Sequence, residues 1–92
     1  MIESFRDADT EALFQGRRVR RWAPIERAAL RKLEQLDLAM RIEDMRAPPG
    51  NRLEKLHGDR AGRWSVRIND QWRVCFRFER GNALDVEIVD YH

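Results

Sequence analysis

The sequence predicts an α+β domain in which a small antiparallel β-sheet packs against two amino-terminal α-helices. Apolar residues recur at helical spacing before "APPG", and at every second position from Trp64 onward. The length of 92 residues limits the chain to a single domain, 1–92, with one small core.

Hydrophobic residues make up 42% of the chain and charged ones 37%, which suits a folded domain with a strongly ionic surface. The first residues, "MIESF", fit a short edge strand, and "GRRVRRW" then reads as a basic loop or a ragged helix end. Pro24 suits a first helical turn, and Ile25, Ala29, Leu33 and Leu36 form one apolar stripe, predicting a helix over 24–36. Asp37 then caps a second helix carrying Leu38, Ile42 and Met45, which "APPG" stops, so the two helices form a hairpin or an elbow.

From Trp64 the period is two. Trp64, Val66 and Ile68 form one strand, "NDQ" turns the chain, and Trp72, Val74, Phe76 and Phe78 form the next. "RGN" makes another turn, and Leu84, Val86 and Ile88 line the last strand of the meander. This even-numbered face is the expected core. Arg67, Arg73, Arg77, Asp85, Glu87 and Tyr91 belong to the other, where the bland expectation is that Arg73 and Arg77 pair across strands with Glu87 and Asp85.

No run approaches the roughly 18 apolar residues of a membrane span, and the acidic opening lacks the features of a secretory leader, so the cytoplasm is the expected location. Cys75 is the sole cysteine and the two histidines lack ligand spacing, so neither an internal disulfide nor a metal or other cofactor is expected. The net charge of +2 conceals sixteen arginines against two lysines, nearly all between residues 17 and 80. That belt suits either a phosphate backbone or an arginine bias without function.

Glycine-rich phosphate loops, nucleophile elbows and zinc-binding helices are absent from the sequence. The remaining chemistry-bearing residues are Glu54 and His57 in "LEKLHGD", Arg67 and Arg73 in the strands, and Tyr91 and His92 at the end. Together they meet the needs of RNA cleavage without metal: a base for the 2′-hydroxyl proton, cations for the phosphorane, and an acid for the leaving 5′-oxygen.

The stretches "PPGNRLEKLHGDRAGRWSVRINDQWRVCFRF" and "VEIVDYH" resemble HigB-type toxins of the RelE/ParE superfamily, the plasmid maintenance system killer proteins, and especially their GraT-like members. The likeness runs from "ADTEALF" to the terminal "DYH". It implies a RelE-like fold and a toxin of a type II toxin-antitoxin system that cleaves mRNA in the ribosomal A site. The implied partners are the ribosome with its mRNA, a cognate helix-turn-helix (HigA-like) antitoxin, and operator DNA reached through that antitoxin, with no membrane involved.

Carried over by residue, the resemblance makes Arg73 the phosphate-stabilising arginine and Asp90, Tyr91 and His92 the terminal catalytic segment. Many HigB proteins have histidine in place of Glu54 and lysine in place of His57, whereas YoeB toxins resemble this chain at Glu54. The resulting assignment has Glu54 as base, His92 or Tyr91 as acid, and Arg73 on the phosphate, helped by Arg67 and His57. Arg17, Arg18, Arg20 and Arg21 suit docking on ribosomal RNA or on the antitoxin. Two rival readings remain: a ParE-like block of DNA gyrase, and a catalytically weak corepressor partner. Because strand alternation sends Asp90 and His92 away from Arg73, a catalytic terminus predicts a break in the strand near Asp90.

Overall fold

The computed structural model describes residues 1–90. Helix α1, Ala8–Phe14, is started by Asp7, whose carboxylate accepts bonds from the Thr10 N–H at 3.1 Å and the Thr10 hydroxyl at 2.6 Å. The same Thr10 oxygen accepts the Ile88 N–H at 3.1 Å, tying the helix to the last strand. The sequence pattern does not announce α1, because in seven residues only Thr10 and Leu13 are buried.

Helix α2, Glu26–Leu38, follows a 3-10 turn, Arg20–Ile25, that contains Pro24. The expected stripe holds at Ala29, Leu33 and Leu36, which are completely buried, but Pro24 and Ile25 belong to the preceding 3-10 turn, and Ile25 is only half-buried. The second predicted helix does not form. Asp37 stays inside α2 and accepts the Ile2 N–H at 2.9 Å, so its carboxylate is taken by tertiary structure. Ala39 then turns to extended backbone, and Ile42–Arg46 forms a short 3-10 stretch that still buries Met45. The two helices are therefore α1 and α2.

The sheet has four antiparallel strands in chain order: β1 Glu54–Lys55, β2 Trp64–Arg67, β3 Trp72–Glu79 and β4 Asn82–Asp90. The "NDQ" turn works through Asn69, whose side-chain oxygen accepts the N–H groups of Gln71 and Trp72, each at 2.8 Å. Arg80 and Gly81, with φ of 53° and 81°, form the two-residue hairpin turn between β3 and β4. A Cβ at Gly81 would lie 3.2 Å from the Met40 carbonyl oxygen.

A bulge alters the expected faces of β4. Cys75 pairs with Glu87 but Arg77 pairs with Leu84, leaving one extra residue on β4, and Asp85 takes it up at φ 52°. Ala83, Val86 and Ile88 therefore face the core, while Leu84 shares the outer side with Arg77. "MIESF" meets β4 through parallel bridges, Ile2 to Ala83 and Phe5 to Val86.

Both α-helices pack on the inner face of the sheet, α1 against β4 and α2 against β3 and β4. Trp22, Phe76, Leu13, Leu33, Leu36 and Met45 are the large members of the core, and Trp22 meets Trp72 edge-on at 6.2 Å. Among the described residues, no helix is long and apolar enough to cross a membrane. β4 keeps its register through Asp90, opposite Trp72, so no break occurs up to that residue. Tyr91 and His92 lie outside the described residues.

Candidate active site on the outer face of the sheet

Strand register builds two polar rows on the face away from the helices. Glu54, Ser65, Cys75 and Glu87 are successive neighbours in one row, and Arg67, Arg73 and Val89 form the next. Two arginines thus stand directly opposite each other on β2 and β3, an arrangement that costs stability unless anions compensate it. Asp70 pairs with Arg67, and Glu54 approaches Arg73, its Oε1 lying 3.6 Å from Nη1.

Arg73 is the fixed part of this pair. Its side chain is only 10% exposed, against 52% for Glu54, and its Nη2 donates to the Arg52 carbonyl at 2.6 Å. Arg52 adopts φ 44° just after the 3-10 turn Pro49–Asn51. Buried Asn51 pins that turn: its Nδ2 donates to Gln35 Oε1 and Met45 O, each at 3.1 Å, and to Ala47 O at 3.2 Å, while its Oδ1 accepts from Lys32. Partial burial and the neighbouring Arg31 hold the Lys32 amine below its ordinary range. The chain from α2 through Asn51 to the Arg52 carbonyl aims the guanidinium of Arg73.

Glu87 is not the partner of Arg73. It pairs with Arg63 at 2.9 Å and Arg6 at 3.4 Å, whereas the expected Arg77–Asp85 pair is present at 3.0 Å. Arg63 escapes a sequence reading because it precedes the alternating run of β2, yet it is buried and also donates to the Asp85 carbonyl at 2.9 Å. The bulge exposes that carbonyl to it. Cys75 and Ser65 are fully buried in the same row, and burial pushes the Cys75 thiol up. Ser65 Oγ and Arg63 Nε have no hydrogen-bond partner among the described residues.

Of the residues expected in a catalytic site, Glu54, Arg67 and Arg73 come together. His57 is exposed in the loop between β1 and β2, and its ring has no hydrogen-bond partner among the described residues. Asp90 lies at the same end of the sheet but on the pleat of Trp72, opposite in sense to Arg73, and accepts from Gln71 Nε2 at 3.1 Å. Arg17, Arg18, Arg20 and Arg21 are exposed between α1 and α2, and none of them contacts Glu54 or Arg73 among the described residues. Arg21 is held by Asp9 at 3.2 Å and lies 4.3 Å from the centre of the Trp22 ring, and Arg17 bonds Gln15.

Residues 3–92 match the family model described as RelE-like toxin of type II toxin-antitoxin system HigB. The chain belongs to the HigB-like toxins. The toxin is 41% identical over 87 residues to Toxin HigB-1 of Vibrio cholerae, covering 92% of each chain. It is 34% identical over 64 residues to Endoribonuclease HigB of Proteus vulgaris, covering 66% of the toxin and 65% of that protein. The fold matches a YoeB/ParE toxin from Agrobacterium tumefaciens with a TM-score of 0.59 at 17% identity, over 99% of the toxin and 100% of that chain. A YoeB–YefM complex from Staphylococcus aureus gives 0.58 at 14% identity, over 100% of the toxin and 98% of that chain. As a member of a type II toxin-antitoxin family, the toxin has an antitoxin as its partner.

Proposed function

We propose that the toxin is a ribosome-dependent endoribonuclease, an mRNA interferase that cuts mRNA in the A site and so arrests translation. The observation that carries this reading is the buried, backbone-anchored Arg73 with the half-exposed carboxylate of Glu54 beside it and Arg67 across the ladder. A gyrase-blocking surface has no need of a desolvated phosphate fork next to a carboxylate. The relative named as an endoribonuclease supports the same choice.

In this mechanism the scissile phosphate docks on Arg73 and Arg67, whose planar forks match its oxygens. Phosphate binding occupies the fork of the anchored Arg73 and displaces the half-exposed Glu54 carboxylate, which takes the 2′-hydroxyl proton. The 2′-oxygen attacks phosphorus, the arginines stabilise the charge that builds on the phosphorane, and the 5′-oxygen leaves with a proton from His92 or Tyr91. The products carry 2′,3′-cyclic phosphate and 5′-hydroxyl ends. Asp90, on the other pleat, acts by orienting the terminal segment, and His57 lies along the RNA path from the β1–β2 loop. Free RNA is a poor substrate, because the site relies on the ribosome to bring the 2′-oxygen into line.

The helix-turn-helix antitoxin holds the toxin inactive and carries it to operator DNA, while Arg17 to Arg21 serve the antitoxin or ribosomal RNA from the helical side. Arg73→Ala should slow cleavage by about 10²–10³ in a translating extract, the usual effect of losing one donor to the transition-state charge. Mapping of mRNA ends gives the measurement, beside a chain lacking Tyr91 and His92. Unchanged cleavage by both variants would overturn the reading.

A further inference from the structure

Arg60 is a cation beside this site that the mechanism leaves unused. It is exposed at the end of the 3-10 turn Gly58–Arg60, and its Nη1 lies 3.8 Å from Cys75 Sγ. Among the described residues no carboxylate lies within ion-pair distance of it. A buried neutral thiol is a poor acceptor for a guanidinium. Arg60 therefore rests on a contact that an anion would easily displace.

Its position is what gives that displacement a use. Cys75 and Arg73 are two residues apart on the same face of β3, a step of roughly 6.5–7 Å along the strand. Arg60 over Cys75 thus stands about one such step from the scissile-phosphate arginine, comparable to the spacing of neighbouring phosphates in a single strand. The loop that carries Arg60 is closed at its base, where the Leu56 N–H donates to Arg63 O at 2.8 Å and Arg63 is bound to Glu87. Its tip is a closed turn as well. The Arg60 N–H donates to His57 O at 3.3 Å, the Ala61 N–H to Gly58 O at 3.0 Å and the Arg63 N–H to Arg60 O at 3.1 Å. Only the long Arg60 side chain therefore has to swing from the thiol to a phosphate.

We propose that Arg60 binds the RNA phosphate adjacent to the scissile one, leaving Cys75 as substrate enters, so that the β1–β2 loop forms a second phosphate subsite. The proposal rests on the RNA-cleaving reading of the Arg73 site. Its test titrates wild type and Arg60→Ala against ribosomes programmed with an mRNA carrying 2′-O-methyl groups in the A-site codon, over a series of salt concentrations. Loss of one phosphate contact should lower the slope of log K against log salt by about 0.7 and raise the half-saturating concentration roughly 5–10-fold. Arg60→Lys should keep the slope, and Arg60→Gln, of similar length but neutral, should lose it, which holds the test open if the alanine variant folds poorly.

A slope and half-saturation unchanged in Arg60→Ala and Arg60→Gln would overturn the proposal. So would an equal loss of binding in Cys75→Ala, since the thiol contact itself would then be what matters. Arg73→Ala, assayed beside these on cleavable mRNA, separates the two levels: full cleavage there refutes the site reading, whereas loss there with no Arg60 effect refutes only the second subsite.

Discussion

Asn51 shows how one buried residue fixes the geometry of a neighbouring candidate site. Its side chain makes contacts to Gln35, Met45, Ala47 and Lys32, and the next residue supplies the carbonyl that fixes Arg73. Asn51→Ala would leave the Met45 and Ala47 carbonyls without this donor in a buried setting, a loss of roughly 1–3 kcal/mol. Denaturant unfolding should show that loss, and cleavage per folded molecule should also fall because the Arg52 carbonyl is released. A variant as stable and as active as wild type would mean that the turn is held by its backbone alone. Arg73 itself was readable in the sequence as an outward arginine on a strand, and Glu54 as a polar residue before the meander. Neither Asn51 nor Arg63 was. Both sit in irregular backbone, where periodicity carries no information and burial depends on contacts made far along the chain.

At the scale of elements, period-two alternation located three of the four strands, and the α2 stripe located the main helix. It failed where short-range rules meet a tertiary competitor. β1 is two residues long, too short to alternate, and Asp37 reads as a helix cap until Ile2 takes its carboxylate. The bulge at Asp85 is hidden for a different reason: "NALDVEIVD" alternates in sequence whether or not a residue is extra, and only the pairing with β3 decides which residues face inward. This bulge also turns the Asp85 carbonyl to Arg63 and its side chain to Arg77. At φ 52° an aspartate is tolerated and a β-branched residue is not. Asp85→Val should therefore cost about 1–3 kcal/mol. Asp85→Gly keeps the conformation and loses only a half-exposed ion pair, so its stability should stay within about 1 kcal/mol of wild type. Thermal melts of both variants distinguish this from a role for the ion pair, which would make the two equally damaging.

For the whole molecule, the sheet must protect two edges. β1 does so by being short, but β4, at nine residues, is the longest strand and lies at the other edge. Its protection comes from the first residues of the chain. The N–H groups of Glu3 and Arg6 donate to Ala83 O and Val86 O at 2.8 and 2.9 Å, and those of Ala83 and Val86 donate back to Met1 O and Ser4 O at 2.9 and 3.1 Å. Ser4 Oγ also accepts the N–H of the bulged Asp85 at 2.9 Å, and Ile2 and Phe5 pack against the core. Beginning the chain at Arg6, after an initiating methionine, would remove most of these bonds and uncover an apolar strand edge, the arrangement that recruits another strand. The truncated protein should lose about 2–4 kcal/mol of stability, from two half-buried apolar side chains and the edge bonds together. It should also associate as concentration rises, which gel filtration over a dilution series would reveal. The outer face bearing Glu54 and Arg73 lies on β1 and β3, so any molecule that remains monomeric should keep its cleavage activity. Loss of activity in a folded, monomeric truncation would show that the amino-terminal segment acts on the site through β4 and the Arg6–Glu87–Arg63 ion pairs, rather than only closing the sheet.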